Sequence, residues 1–167
     1  MDFLIDLLGR FHPLIVHLPI GFLFLGLMMM IFDRKEKKHQ KIIRFAFFWG
    51  TFFTLAAIIT GTILYLREGY AWEDIQGHLI LGVLTFLLSF LLYLQLKGFT
   101  PFKRLSPKFL GYGLVFVLTV TGHLGGNLTH GKNHLTEPLP NGLKTALGLE
   151  VTSNMFVLFP ETHQELP

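Results

Sequence analysis

Residues 12–32 read HPLIVHLPIGFLFLGLMMMIF, a stretch of apolar side chains without a single Asp, Glu, Lys or Arg. A helix needs on the order of 20 predominantly apolar residues to cross the hydrocarbon core of a bilayer. Three further stretches of this kind follow, at about 44–66, 77–96 and 108–124. The sequence therefore predicts an all-α integral membrane protein, a four-helix bundle whose first span covers about 13–32.

The composition supports a membrane location and excludes several classes of site. Hydrophobic residues make up 51% of the chain, which is more than an ordinary soluble domain contains. The chain has no Cys, which excludes disulfides, iron–sulfur clusters and the covalent attachment of a c-type haem. Any metal or haem must therefore be held non-covalently, and His is the first candidate ligand.

The distribution of charge predicts the orientation of the bundle. Two short loops, at 33–44 and 97–108, hold ten of the 14 Lys and Arg residues. By the positive-inside rule both loops are cytoplasmic, so both termini are predicted on the opposite side of the membrane, which we expect to be the periplasmic side of a bacterial inner membrane. This clustering between apolar spans also explains the basic pI better than nucleic-acid binding does, and we expect no nucleic-acid partner.

Two segments lie outside the predicted spans. Residues 2–11 place apolar side chains at helical spacing and predict a short helix on the membrane surface. We divide the rest into a transmembrane domain at 1–124 and a mostly irregular periplasmic lip and tail at 125–167. Within the tail, a short helix is expected at about 141–149, and the apolar segment 155–159 is expected to pack on a partner or on the membrane.

The histidines are distributed unevenly with respect to this topology. Seven of the eight fall on the predicted periplasmic side, and only His39 lies in a basic loop. Four of the seven are at the ends of spans: His12, His17, His78 and His123. A polar group at the edge of hydrocarbon costs free energy unless it is partnered, so this cluster predicts a functional site.

Glycines add a second observation. Gly21 follows His17 by four residues and Gly82 follows His78 by four, so each glycine lies one turn deeper on the same helical face. A missing side chain beneath an imidazole leaves room for a flat group. The simpler interpretation is that small residues only allow membrane helices to approach closely, but it leaves the histidines unexplained.

The leading hypothesis is a b-type haem held by two imidazoles in the bundle, acting in electron transfer with a c-type cytochrome or quinone. We favour His17 and His78 as axial ligands because equivalent positions of parallel helices have similar depth. His123 and His130 are competitors, and His12 is expected nearer the interface. His12 and His17 are five residues apart and point about 140° apart, so they are not expected to share one metal.

Two alternatives remain open. The first is a non-haem Zn, Cu or Fe site that uses three or four of the histidines at this end of the bundle. The second is that the histidines make structural hydrogen bonds at helix ends and that the chain is a non-catalytic anchor or assembly subunit of a larger complex. Neither alternative requires the chain to be an enzyme.

The chain also resembles a family of small bacterial inner-membrane proteins of largely uncharacterised function. That family is marked by HPxxVHFPI at the first helix, which stands here as HPLIVHLPI at 12–20, with Leu18 in place of Phe. His78 matches a His that opens the third helix, and GGNL at 125–128 matches a distal Gly-Gly-x-Leu element. In one branch of the family this domain precedes a c-type cytochrome domain. The resemblance therefore implies electron transfer at the outer face.

Overall fold

The computed structural model describes residues 2–33, 37–99, 106–131 and 136–149, and these residues form helices and turns without a strand. The helices in chain order are α1 (Asp2–Arg10), α2 (His12–Ile15), α3 (His17–Phe32), α4 (Gln40–Glu68), α5 (Trp72–Leu96), α6 (Pro107–His130) and α7 (Asn141–Ala146).

Four crossings of a membrane are possible by length and composition among the described residues. The first runs over Phe3–Phe32 and combines α1, α2 and α3, and the others are α4, α5 and α6. This confirms the predicted all-α fold with four membrane-spanning helices. The predicted orientation of the termini remains a prediction.

The first crossing is interrupted rather than continuous, and its prolines explain where. Proline has no backbone N–H, so Pro13 and Pro19 cannot donate to the carbonyls of Gly9 and Ile15. The chain accordingly makes turns at Phe11 and Val16. Both residues keep right-handed helical backbone angles, so the three helices follow one another with little change of backbone conformation.

The spanning helices pack in chain order, and α3 also contacts α6. Because successive spans alternate in direction, α3 begins at the end of the bundle where α4 ends, α5 begins and α6 ends. We call this the histidine end, and the end with the two basic loops the basic end. The core draws on all four helices and consists of buried side chains toward the basic end: Leu23, Leu27, Ile43, Phe47, Leu92, Leu110 and Leu114.

Helix α1 is attached to the last turns of α4. Arg10 forms an ion pair with Glu68 at 3.4 Å, and Asp6 forms one with Arg67 at 3.1 Å. Between these pairs the two helices approach closely, since a Cβ placed on Gly9 would lie 3.1 Å from the backbone N of Leu64. The N-terminal segment is thus a helix, as expected, and it lies against α4.

The C-terminal boundary of the bundle differs from the expected one. The sequence predicts the end of the last span at about 124 and an irregular lip from 125, whereas α6 continues to His130. Gly125 in this segment packs against the ring of His78 on α5, and Gly131 then ends the helix with a φ of +87°. Residues 132–167 form a separate unit containing α7, and the expected apolar segment 155–159 lies outside the described residues.

Candidate functional site at the histidine end

Two histidines from different helices meet at the histidine end. The ring centroids of His12 and His78 are 6.3 Å apart, and the ring planes are inclined by 82°. Both side chains are half-buried. His12 lies at the start of α2 and His78 in the second turn of α5, so the pair joins the first and third crossings.

The imidazole of His12 is held against α4. Its Nδ1 lies 3.3 Å from Thr60 Oγ1, and the Thr60 hydroxyl is itself 3.0 Å from the carbonyl of Ala56. Because the single hydroxyl hydrogen goes to a helix carbonyl, the Thr60 oxygen accepts from His12 Nδ1–H. A Cβ on Gly61 would lie 2.8 Å from His12 Cε1, so only glycine leaves room for the ring here.

His78 is held against α6 in the same manner. Its Nδ1–H donates to the backbone carbonyl of Thr121 at 3.0 Å. A Cβ on Gly125 would lie 2.9 Å from His78 Cε1, so a glycine again accommodates the ring. The Thr121 hydroxyl continues the polar contacts across the same interface, since it lies 3.4 Å from the Thr85 hydroxyl.

Depth along α4 locates the pair relative to the charged end of that helix. Gly61 lies six residues before Arg67, which corresponds to roughly 9 Å along a helix axis. His12 therefore lies beside the apolar stretch of α4, about two turns before Arg67. Its expected position nearer the interface than His17 remains a prediction.

The structure does not group the other predicted histidines with this pair. His17 is exposed at the start of α3, and its Nδ1–H donates at 2.7 Å to the carbonyl of Pro13 in α2. His123 is exposed on α6, with its Nε2 3.3 Å from the Asn127 amide. His130 is the exposed last residue of α6. The neighbour of His78 is therefore His12 and not His17, the residue favoured from the sequence.

Gly21 and Gly82, the glycines predicted to leave space, do have open space beside them. They do not contact the rings of His12 and His78. A Cβ on Gly21 would meet nothing within 4 Å, and the nearest atom to one on Gly82 is a side-chain carbon of Ile58 at 4.0 Å. The close glycine contacts are made across helices by Gly61 and Gly125 instead. The sequence signal for them was present in the small residues Ala56, Ala57, Thr60 and Gly61 and in the pair Gly125-Gly126, but periodicity along one helix cannot reveal a partner on another.

The described residues do not form a metal site with three or more protein ligands. Among residues 2–33, 37–99, 106–131 and 136–149, no three His, Asp or Glu side chains lie close enough to hold one ion. The histidines at 134 and 163 lie outside those ranges. Two imidazoles alone suit a metal whose remaining ligands come from the cofactor that carries it.

Comparisons with known proteins give one match. No curated protein and no solved structure matches the chain. The HPxxVHFPI pattern and the cytochrome fusion expected from the sequence remain predictions. A family model does match residues 10–136, a region that contains His12, His78 and their helix contacts. The chain therefore belongs to the family described as "Predicted membrane protein (DUF2231)".

Proposed function

We propose that this protein is a membrane electron-transfer subunit that binds a b-type haem between His12 and His78. The observation that carries the proposal is the 6.3 Å separation of the two ring centroids. An imidazole nitrogen lies about 2.0–2.1 Å from a bound metal, so two imidazoles can ligate one ion only if their centroids lie within roughly 6.4 Å of each other. The observed separation meets this limit.

The hydrogen bonds of the two rings support the same assignment. Each Nδ1 donates its hydrogen to an oxygen, His12 to Thr60 Oγ1 and His78 to the Thr121 carbonyl. In a neutral imidazole this tautomer leaves the lone pair on Nε2, which is the ligand form. A ligating His almost always has such a partner on its other nitrogen, because the partner fixes both the tautomer and the ring orientation.

The surrounding helices would hold the rings before any group binds. Gly61 and Gly125 bring the α4 and α6 backbones against the rings, which limits how far either imidazole can rotate. When bound, haem supplies an iron that takes up and releases one electron. His12 and His78 would each hold the group through one imidazole nitrogen, and the helices around them would keep the two rings in place. A c-type cytochrome or a quinone is the proposed redox partner at the histidine end, for which the charge distribution favours the periplasmic side.

The test is an optical spectrum of the purified full chain and of four single variants. We expect a reduced-minus-oxidised spectrum of a low-spin b-type haem in the wild type. His12→Ala and His78→Ala should each abolish it, because each removes one axial ligand. His17→Ala and His123→Ala are matched controls at the same end of the bundle and should retain it.

Two results would contradict the proposal. The first is a colourless protein that is purified from haem-replete cells and takes up no added haemin. It would favour the alternative hypothesis that the chain is an anchor or assembly subunit. Retention of the low-spin spectrum in His12→Ala together with its loss in His17→Ala would mean that the ligand pair is the one favoured from the sequence alone. Circular dichroism of each variant shows whether the helices persist.

A further inference from the structure

A surface groove lies at the opposite, basic end of the bundle. A groove of about 310 Å³ opens between the start of α4 and the end of α5. Three cationic and three aromatic side chains line it: Lys41, Arg44, Lys97, Phe45, Phe48 and Tyr93. None of these residues belongs to the histidine site.

The cations of the groove are available to an anion. Lys41 and Arg44 are three residues apart in the first turns of α4, so they share a helix face. Arg44 donates its Nε–H to the carbonyl of Gln40 at 3.2 Å, which orients the guanidinium from its own helix. Within the described ranges, no Asp or Glu side chain forms an ion pair with Lys41, Arg44 or Lys97. The positive end of the α4 dipole adds to their potential.

The aromatic side chains connect the cations to the apolar surface of the bundle. Lys97 Nζ lies 5.5 Å from the centroid of the Tyr93 ring, and that ring is 5.7 Å from Phe48. Phe45 and Phe48 both contact Trp49, which lies one turn after Phe45 and directly after Phe48 on α4. Phe45 and Phe48 are about half exposed, as expected for side chains that face lipid. The groove therefore has a cationic mouth and an aromatic wall that continues into the hydrocarbon region.

We propose that this groove binds an anionic phospholipid, with the phosphate of its head group between Lys41, Arg44 and Lys97 and an acyl chain along Phe45 and Phe48. Basic pockets between membrane helices recognise anionic head groups through this combination of point charges and apolar contact. Free phosphate shares the charge but could not use the aromatic wall. The lipid is therefore the occupant that accounts for both halves of the lining.

The test measures lipid binding to the delipidated full chain in neutral detergent by native mass spectrometry. Phosphatidylglycerol should bind more tightly than phosphatidylcholine of the same chain length. Arg44→Gln and Lys97→Gln should each weaken phosphatidylglycerol about fivefold, the effect of about one cation near a membrane surface. Lys108→Gln is the matched control, because it removes a cation from the first turn of α6 outside the groove, and it should leave binding unchanged.

Three outcomes would overturn the proposal. Equal affinity for the two lipids would show that the head-group charge is not recognised. An equal loss in Lys108→Gln would show that binding follows total charge and not the groove. Displacement of phosphatidylglycerol by an equal concentration of inorganic phosphate would assign the site to free phosphate. Unchanged helix content in both groove variants keeps the comparison valid.

Discussion

The two halves of the bundle use the same steric arrangement for different side chains. In the basic half, a Cβ on Gly50 would lie 2.6 Å from Leu23 Cδ2, and one on Gly26 would lie 3.0 Å from the Phe47 ring. In the histidine half, Gly61 and Gly125 receive imidazole rings at nearly the same distances. In both halves a glycine on one helix accommodates a large side chain of its neighbour.

The difference lies in what the large side chain carries. Leu23 and Phe47 are fully buried and have no polar atoms, so their contribution is close packing between helices. His12 and His78 are half-buried and bring ring nitrogens that need partners. The basic half therefore holds the helices together, whereas the histidine half uses that frame to position two imidazoles.

The largest effect on stability should come from replacing a tightly packed glycine of the basic half with alanine. Gly50→Ala places a methyl group against the Cγ and the backbone of Leu23, which cannot rotate away. Overpacking of this kind costs about 1–3 kcal/mol, and we expect a lower Tm by circular dichroism with an unchanged haem spectrum. Gly21→Ala is the control, because its methyl group meets open space. Equal Tm values for the two variants would refute the assigned role of the basic half.

An intermediate effect is expected at the glycines of the histidine half. Gly61→Ala and Gly125→Ala should displace His12 or His78 and lower the haem affinity by about tenfold, or about 1.4 kcal/mol. Tm of the haem-free protein should change less than in Gly50→Ala, since an imidazole at a half-buried site can move outward. Haem titration measures this, with Gly82→Ala as the matched control. Unchanged affinity in both variants would show that ring position does not depend on these glycines.

The smallest effect concerns Asp33, which follows α3 at the basic end. Although burial raises the pKa of its carboxyl, hydrogen bonds from the backbone and side chain of His39, the Gln40 amide and the Lys38 backbone lower it below the ordinary value. An ionised Asp33 therefore stabilises the fold above about pH 4, and this contribution is lost as the pH falls through the lowered pKa. Asp33→Asn should reduce Tm at pH 7, and the difference from wild type should shrink in acid. A constant difference down to pH 3 would contradict this.

The four-helix architecture was predictable because each span can be recognised in the sequence by its length and its apolar composition. The end of α6 was not, since Gly125 and Gly126 resemble a loop in sequence but lie in a helix whose backbone approaches His78. For the site, the sequence placed His12, His17 and His78 at one end of the bundle. It could not choose between the first two, because that choice depends on which face of a proline-interrupted helix meets α4. Thr60 and Thr121, which partner the rings, carry no sequence signal of their own.

Chemical rescue with imidazole tests directly whether the His12 ring holds the haem. In His12→Gly the cavity left by the side chain can accept free imidazole, whose nitrogen can replace the missing ligand. We predict that His12→Gly lacks the low-spin haem spectrum and that added imidazole restores it, while His17→Gly needs no imidazole. A His12→Gly protein with the wild-type spectrum before imidazole is added, beside a His17→Gly protein that requires it, would contradict the account.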